Sequence, residues 1–130
     1  LVDMAAHSLE TVDDDFDIVE FERAELERIG MPSSVGMNHR LAHFQHLFSG
    51  SGYAAGYYVY LWAEVLEADG YEAFVEAGNP FDAEVAARLR RYVYAAGNSL
   101  DPTEAFRAFR GRSPHIAPML RQRGLVDESP

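Results

Sequence analysis

Between Tyr53 and Ala68 the chain is apolar nearly all round and holds four of its seven tyrosines and its only tryptophan, Trp62. A helix of that kind has no face to give to water, so it predicts a central, buried element around which the rest must pack. The flexible cluster Ser49, Gly50, Ser51 and Gly52 stands directly before it and frees the backbone for unusual dihedrals, and Gly70 is placed to end it. On such a helix Tyr53, Tyr57, Tyr60 and Glu64 share one face, because their spacing is i, i+4, i+7, i+11.

The flanking segments read as helices with short connections. Asp17 caps a helix to Ile29 whose apolar positions Ile18, Phe21, Leu26 and Ile29 keep a 3.6-residue period, with Gly30 after it and Pro32 preventing continuation. Tyr71 to Ala77 predicts a short amphipathic turn ending at Gly78. Asp82 caps a helix to about Ala96 with Val85, Leu89, Tyr92 and Val93 inward. Asp101, Pro102 and Glu104 combine an N-cap, a first-turn proline and an acidic third position, starting a helix that stops at Gly111. A last helix runs near Ile116 to Arg123, and residues 126–130 read as a tail. With no convincing strand pattern, the expectation is an all-α fold of five to six helices, a single helical subdomain over residues 1–125. The chain enters directly on helix-like sequence at Leu1, and reads as a piece of something longer.

Charge and composition narrow the partners. Eleven basic against 21 acidic residues give a formal charge of −10, which argues against nucleic acid or an anionic membrane surface. The absence of cysteine excludes disulfides and thiolate metal ligands, and is compatible with a reducing, cytoplasmic setting. No apolar run approaches the length of a membrane span.

Three features could carry chemistry, each with a plain structural alternative. The tyrosine face is either core or a hydroxyl-lined surface facing a ligand, since buried phenols need partners. His39, His43 and His46 follow i, i+4, i+7 spacing, which on a helix aligns three imidazoles for zinc; a structural role is the alternative, and whether the segment is helical is open. Arg107, Arg110 and Arg112 surround Gly111 and read as a helix C-terminal charge bias rather than a carboxylate clamp. No H-E-x-x-H, nucleophile elbow, P-loop or dinucleotide fingerprint is present.

Phe44-x-His46, the glycine turn, the run Tyr53-Ala-Ala-Gly-Tyr-Tyr-x-Tyr-Leu-Trp62 and the following Glu64-Val-Leu closely resemble the C-terminal part of the thimet oligopeptidase and peptidyl-dipeptidase family of zinc metallopeptidases. The Ala-Ala-Gly within the run looks like the bacterial peptidyl-dipeptidase branch. Supporting agreement runs from Asp3-Met-Ala-Ala-His7 through Gly36-Met-x-His-Arg-Leu41 and Ala95-Ala-Gly-Asn-Ser99 to Phe109-Arg-Gly-Arg112 and Arg123-Gly-Leu125. The resemblance implies a largely helical, two-lobed enzyme whose zinc is held by an H-E-x-x-H helix and a further glutamate, all of it before the region matched. It therefore implies zinc in the full-length enzyme and none bound to this segment. It also implies roles on the substrate side of the cleft. Tyr60 and Tyr53 match tyrosines that bind substrate and donate hydrogen bonds to the developing oxyanion. His46 matches a histidine that holds the substrate backbone, Tyr57 matches a further cleft tyrosine, and Gly50 and Gly52 lie in a loop that closes over substrate. The turn before Tyr53 is slightly longer than in some relatives.

The implied partners are short peptide substrates and the remainder of the same enzyme, with self-association of the isolated chain. A stand-alone acidic helical module that holds a peptide without cutting it is the alternative, and a core helix with no site is a third.

Overall fold

A computed structural model describes residues 1–127. Three of its helices begin on an aspartate whose carboxylate takes up amides that have no partner within the first turn. Asp17 accepts from the amides of Val19 and Glu20 at 2.9 and 3.1 Å. Asp82 accepts from those of Glu84 and Val85 at 3.0 and 2.9 Å, and Asp101 from those of Thr103 and Glu104 at 2.9 and 3.3 Å. All three caps were expected from the sequence. Among the described residues there are six α-helices and no strand: α1 Val2–Ala6, α2 Ile18–Arg28, α3 Val59–Glu76, α4 Ala83–Leu89, α5 Pro102–Arg110 and α6 Ala117–Gln122. The all-α expectation holds. Of the expected tail, residues 128–130 lie outside the described residues.

The chain divides into two compact units, one spanning Leu1–Val59 and one from Tyr60 onward. In the first, Val2, Leu41 and Leu47 are buried, and Ile18, Phe21 and Leu26 of α2 pack against them. One charged group shares that interior. Glu22, 4% exposed, accepts from Arg40 Nε and from the backbone amide of Leu41, both at 2.8 Å. The second unit has two buried clusters, Val65, Ala68 and Met119 in one and Ala73, Val85 and Phe109 in the other.

Element α3 departs from the sequence expectation at both ends. It begins at Val59 rather than Tyr53, because Ala55 takes a left-handed φ of 52° that no right-handed helix accommodates. The amide of Tyr57, which would bond within a helix, goes instead to the carboxylate of Asp3. At the other end Gly70 does not stop the helix, which continues to Glu76 and absorbs the turn expected over 71–77. A glycine inside a helix weakens it by about 1 kcal/mol relative to alanine, which packing readily offsets. Here the Phe109 ring comes within 3.5 Å of where a Gly70 β-carbon would lie. Nor is α3 buried all round: Tyr60, Leu61 and Trp62 are about half exposed, and burial sets in at Val65.

The helix expected from Asp82 to about Ala96 is shorter too. Regular α-helical bonding ends at Leu89 and a π-turn carries the chain through Arg90–Tyr94, leaving Val93 exposed rather than inward. The α5 expectation holds in detail, with Pro102 in its first turn and Gly111 left-handed at φ 78°.

Candidate functional site

The expected alignment of Tyr53, Tyr57, Tyr60 and Glu64 on one helix face does not form, since Tyr53 and Tyr57 precede α3. Only Tyr60 and Glu64 lie on the helix, and Glu64 accepts from Arg123 Nε at 2.8 Å. The loop before α3 brings rings together by another route. His46 lies in a 3₁₀ turn, Gln45–Leu47, with its ring centroid 5.7 Å from Tyr53 and 6.0 Å from Tyr57. The two tyrosine rings are 5.2 Å apart, and Phe44 meets Tyr57 edge-on at 4.6 Å and His46 at 5.1 Å. These separations are in the range where edge-to-face aromatic pairs are favourable. Phe44 and Tyr57 also pack against the Val2, Leu41 and Leu47 core, while His46 is exposed.

Two carboxylates fasten the backbone around this cluster. Glu22 holds Leu41 and Arg40 upstream, as described above. Downstream, Asp3 Oδ1 accepts from the amide of Ala55 at 3.1 Å and Oδ2 from that of Tyr57 at 3.3 Å. His7, one turn along from Asp3, lies with Nδ1 2.9 Å from Asp3 Oδ1 and stacks its ring on Phe48 at 5.5 Å. Between the fastened stretches, Gly50 and Gly52 keep ordinary φ values; the unusual dihedral predicted for the glycine cluster occurs at Ala55. No atom approaches within 4 Å of where a β-carbon on either glycine would stand, so their bare backbone is open to a second chain. A pocket of about 480 Å³ beside them is lined by His43, Phe44, Gln45, His46 and Ser49.

His39, His43 and His46 share no helix, the segment being a succession of turns. His39 instead packs its ring 4.4 Å from Phe44. Among the described residues no group of three histidine, aspartate or glutamate side chains is placed to hold a metal ion.

In the second unit, Tyr60 lies in the first turn of α3 and is 54% exposed. The same helix carries Asp69, which is fully buried. Arg112 donates to it from Nη1 and Nη2 at 2.7 and 2.6 Å, Arg110 from Nε and Nη2 at 3.3 and 3.2 Å, and the backbone amide of His115 at 2.8 Å. Burial alone would raise the Asp69 carboxyl. The hydrogen bonds from Arg112 and His115, with the two guanidinium charges, outweigh it and hold the group below the ordinary carboxylate range. Arg110 also forks onto Glu76 at 2.8 and 2.9 Å, keeping that carboxyl low as well. Arg110 and Arg112 are thus a carboxylate clamp, contrary to the expectation of a helix-terminal charge bias. Their partner sits 41 and 43 residues away, which no local spacing could reveal. This unit also has an apolar pocket of about 560 Å³, walled by side chains such as Leu66, Tyr71, Phe74, Tyr92 and Phe106; none of the expected site residues lines it.

The chain is all-α, with a carboxylate-fastened aromatic loop beside open glycine backbone. The family is settled by comparison: the model for peptidase family M3 matches residues 1–125, and the chain belongs to that family. It is 44% identical over 127 residues to the dipeptidyl carboxypeptidase of Salmonella typhimurium and 42% identical to that of Escherichia coli. Each match covers 96% of this chain and 18% of the relative. It is also 45% identical over 84 residues to oligopeptidase A of Haemophilus influenzae, covering 65% of this chain and 12% of the relative. The chain spans less than a fifth of the length of these relatives. Among the described residues no helix is long and apolar enough to cross a membrane.

Proposed function

We propose that this chain is the C-terminal, substrate-binding and transition-state-stabilising segment of a zinc-dependent peptidyl-dipeptidase or oligopeptidase, a cytoplasmic enzyme that hydrolyses short peptides, and that it is inactive alone. The observation that carries the reading is the grouping of His46, Tyr53 and Tyr57 around Phe44, next to bare glycine backbone, in a member of peptidase family M3. An extended peptide offers amides and carbonyls at its edge, and imidazole and phenol groups can both donate and accept hydrogen bonds. His46 and Tyr57 hold the substrate backbone in this reading, and Gly50 and Gly52 let it approach where a side chain would block it.

Tyr53 and Tyr60 act in the chemical step. As a scissile carbonyl gains a hydroxide its oxygen acquires full negative charge, and a phenol aimed at that position strengthens its hydrogen bond as the charge grows. Such a donor lowers the barrier without tightening the ground state. Its removal costs about 3 kcal/mol, roughly a hundredfold in rate. The residues that hold and activate the attacking water lie outside this chain, in the remainder of the enzyme.

In the full-length enzyme, Tyr60→Phe is expected to lower kcat by about a hundredfold with little change in KM, measured on a short peptide under steady-state conditions. An unchanged kcat would refute the donor role.

A further inference from the structure

We infer that Asp3 is a positioning residue for the loop that carries Tyr53 and Tyr57, acting on peptide hydrolysis through those rings; this rests on the reading of the loop as the substrate-binding site. Both carboxylate oxygens are committed to one short stretch more than 50 residues away, Oδ1 to the amide of Ala55 and Oδ2 to that of Tyr57. These two amides flank Gly56 in the turn between the tyrosines, and Ala55 is held left-handed at φ 52°, a conformation alanine avoids without an outside constraint. A charged acceptor makes each N–H bond stronger than a neutral one, and the side chain is only 14% exposed, so water does not readily replace it.

The carboxylate is itself fixed. Val2, its neighbour on α1, is buried with Leu41 and Leu47, while His7 pairs with Asp3 and stacks on Phe48. Through Asp3 and His7, α1 therefore touches the chain on both sides of the Ser49–Gly52 stretch: at Phe48 before it and at Ala55 and Tyr57 after it. Without the carboxylate the turn between Tyr53 and Tyr57 loses the acceptors for its amides; an asparagine keeps one neutral acceptor and turns an NH₂ group toward the other amide. The two rings lose their mutual placement, while the core beneath them stays intact.

The test uses the full-length enzyme with Asp3→Asn and Asp3→Ala, each in the wild-type and in a Tyr53→Phe background. In the wild-type background kcat is expected to fall about 10- to 100-fold, because small misplacements of a catalytic group have effects of that size, with KM moving less than about threefold. In the Tyr53→Phe background the same change should cost less than about threefold, since a residue that acts through Tyr53 has little left to act on. Hydrogen exchange of the Ala55 and Tyr57 amides, followed by mass spectrometry, should accelerate at least tenfold on the order expected for a lost local hydrogen bond. Asp3→Asn is isosteric and carries the test if Asp3→Ala fails to fold. An unchanged kcat beside an impaired Tyr53→Phe, an equal loss in both backgrounds, or unchanged amide exchange would each overturn the inference. Tyr53→Phe with unaltered kcat would instead overturn the site reading, and amide exchange would still decide whether Asp3 holds the loop.

Discussion

Replacing Asp69 by asparagine probes a heavily committed buried side chain. Its carboxylate is fully buried and receives five donor contacts, from Arg110, Arg112 and the His115 amide. Arg110, itself only 3% exposed, keeps its fork onto Glu76 when the charge is lost. Arg112 does not, since its Nη2 is 3.8 Å from Glu76 and its remaining close acceptor is the carbonyl of Ser113. The asparagine also points an NH₂ group at donors that need an acceptor. Breaking one side of a buried ion pair costs about 3–5 kcal/mol, against roughly 0.5–1.5 for an ordinary hydrogen bond. That is a large share of the 5–15 kcal/mol typical of a whole domain. Urea unfolding of the 130-residue chain, followed by far-ultraviolet circular dichroism and by Trp62 fluorescence, should show the loss at neutral pH. Arg112→Met, which leaves Asp69 its Arg110 and His115 partners, should cost less, about 1–3 kcal/mol. The pH dependence has a definite sign. A carboxyl held low in the folded protein contributes stability above its unfolded value of about 3.9, and loses it as pH falls through the folded value. The gap between wild type and Asp69→Asn should therefore close in acid. A deficit below about 1 kcal/mol at neutral pH, or one that persists unchanged in acid, would refute the reasoning.

Two glycine replacements should act in opposite directions. Gly111→Ala is expected to destabilise by about 1–2 kcal/mol, because φ is 78° and the cost is left-handed backbone alone, with no atom within 4 Å of the new methyl. Gly70→Ala should stabilise by up to about 1 kcal/mol through helix propensity, its β-carbon meeting Phe109 at an ordinary contact distance of 3.5 Å; thermal unfolding of both variants checks the pair. Zinc titration of the chain by calorimetry should give no tight stoichiometric site, and a submicromolar one would revive the three-histidine alternative. Trp62 and Phe81, 53% and 87% exposed, lead us to expect concentration-dependent self-association in sedimentation, and a clean monomer at high concentration would count against it.

What the sequence made legible is what local chemistry decides. The caps at Asp17, Asp82 and Asp101 and the stops at Gly30 and Gly111 depend on residues within one turn of the helix end, and all five stand where they were expected. The start of α3 was not legible, because it is decided by a carboxylate at position 3 competing for the amides of Ala55 and Tyr57. The periodicity that put three tyrosines on one stripe was sound arithmetic for a helix that the backbone does not form there. For the proposed site, the motif named the candidate residues, and the loop before α3 set the geometry of His46, Tyr53 and Tyr57 among them.

The buried acids were missed because helix charge is ordinarily read as solvated surface. Glu22 lies four residues from Ile18 and from Leu26, and Asp69 four residues from Val65 and from Ala73, so each occupies the middle of an apolar stripe facing a core. Apolar neighbours at i−4 and i+4 do not by themselves bury a carboxylate, since Glu67, between Ala63 and Tyr71, is exposed; Glu22 and Asp69 are buried because the neighbours on their stripes pack in a core. A carboxylate so placed must be met inside, and burial is tolerable only with charged or backbone donors. Each is met in the same way: by an arginine and by the backbone amide of a residue shortly after one, Leu41 after Arg40 and His115 after Arg112. Such a pairing ties a distant loop to the helix by direction as well as by charge, since the amide admits one approach while a guanidinium admits several. Glu22 in this way fixes the chain entering the aromatic loop, and Asp69 fixes the chain entering α6. Asp3, at the edge of its unit rather than in a core, does the same with two amides and a histidine, which is why its loss is expected to disturb the loop and spare the fold.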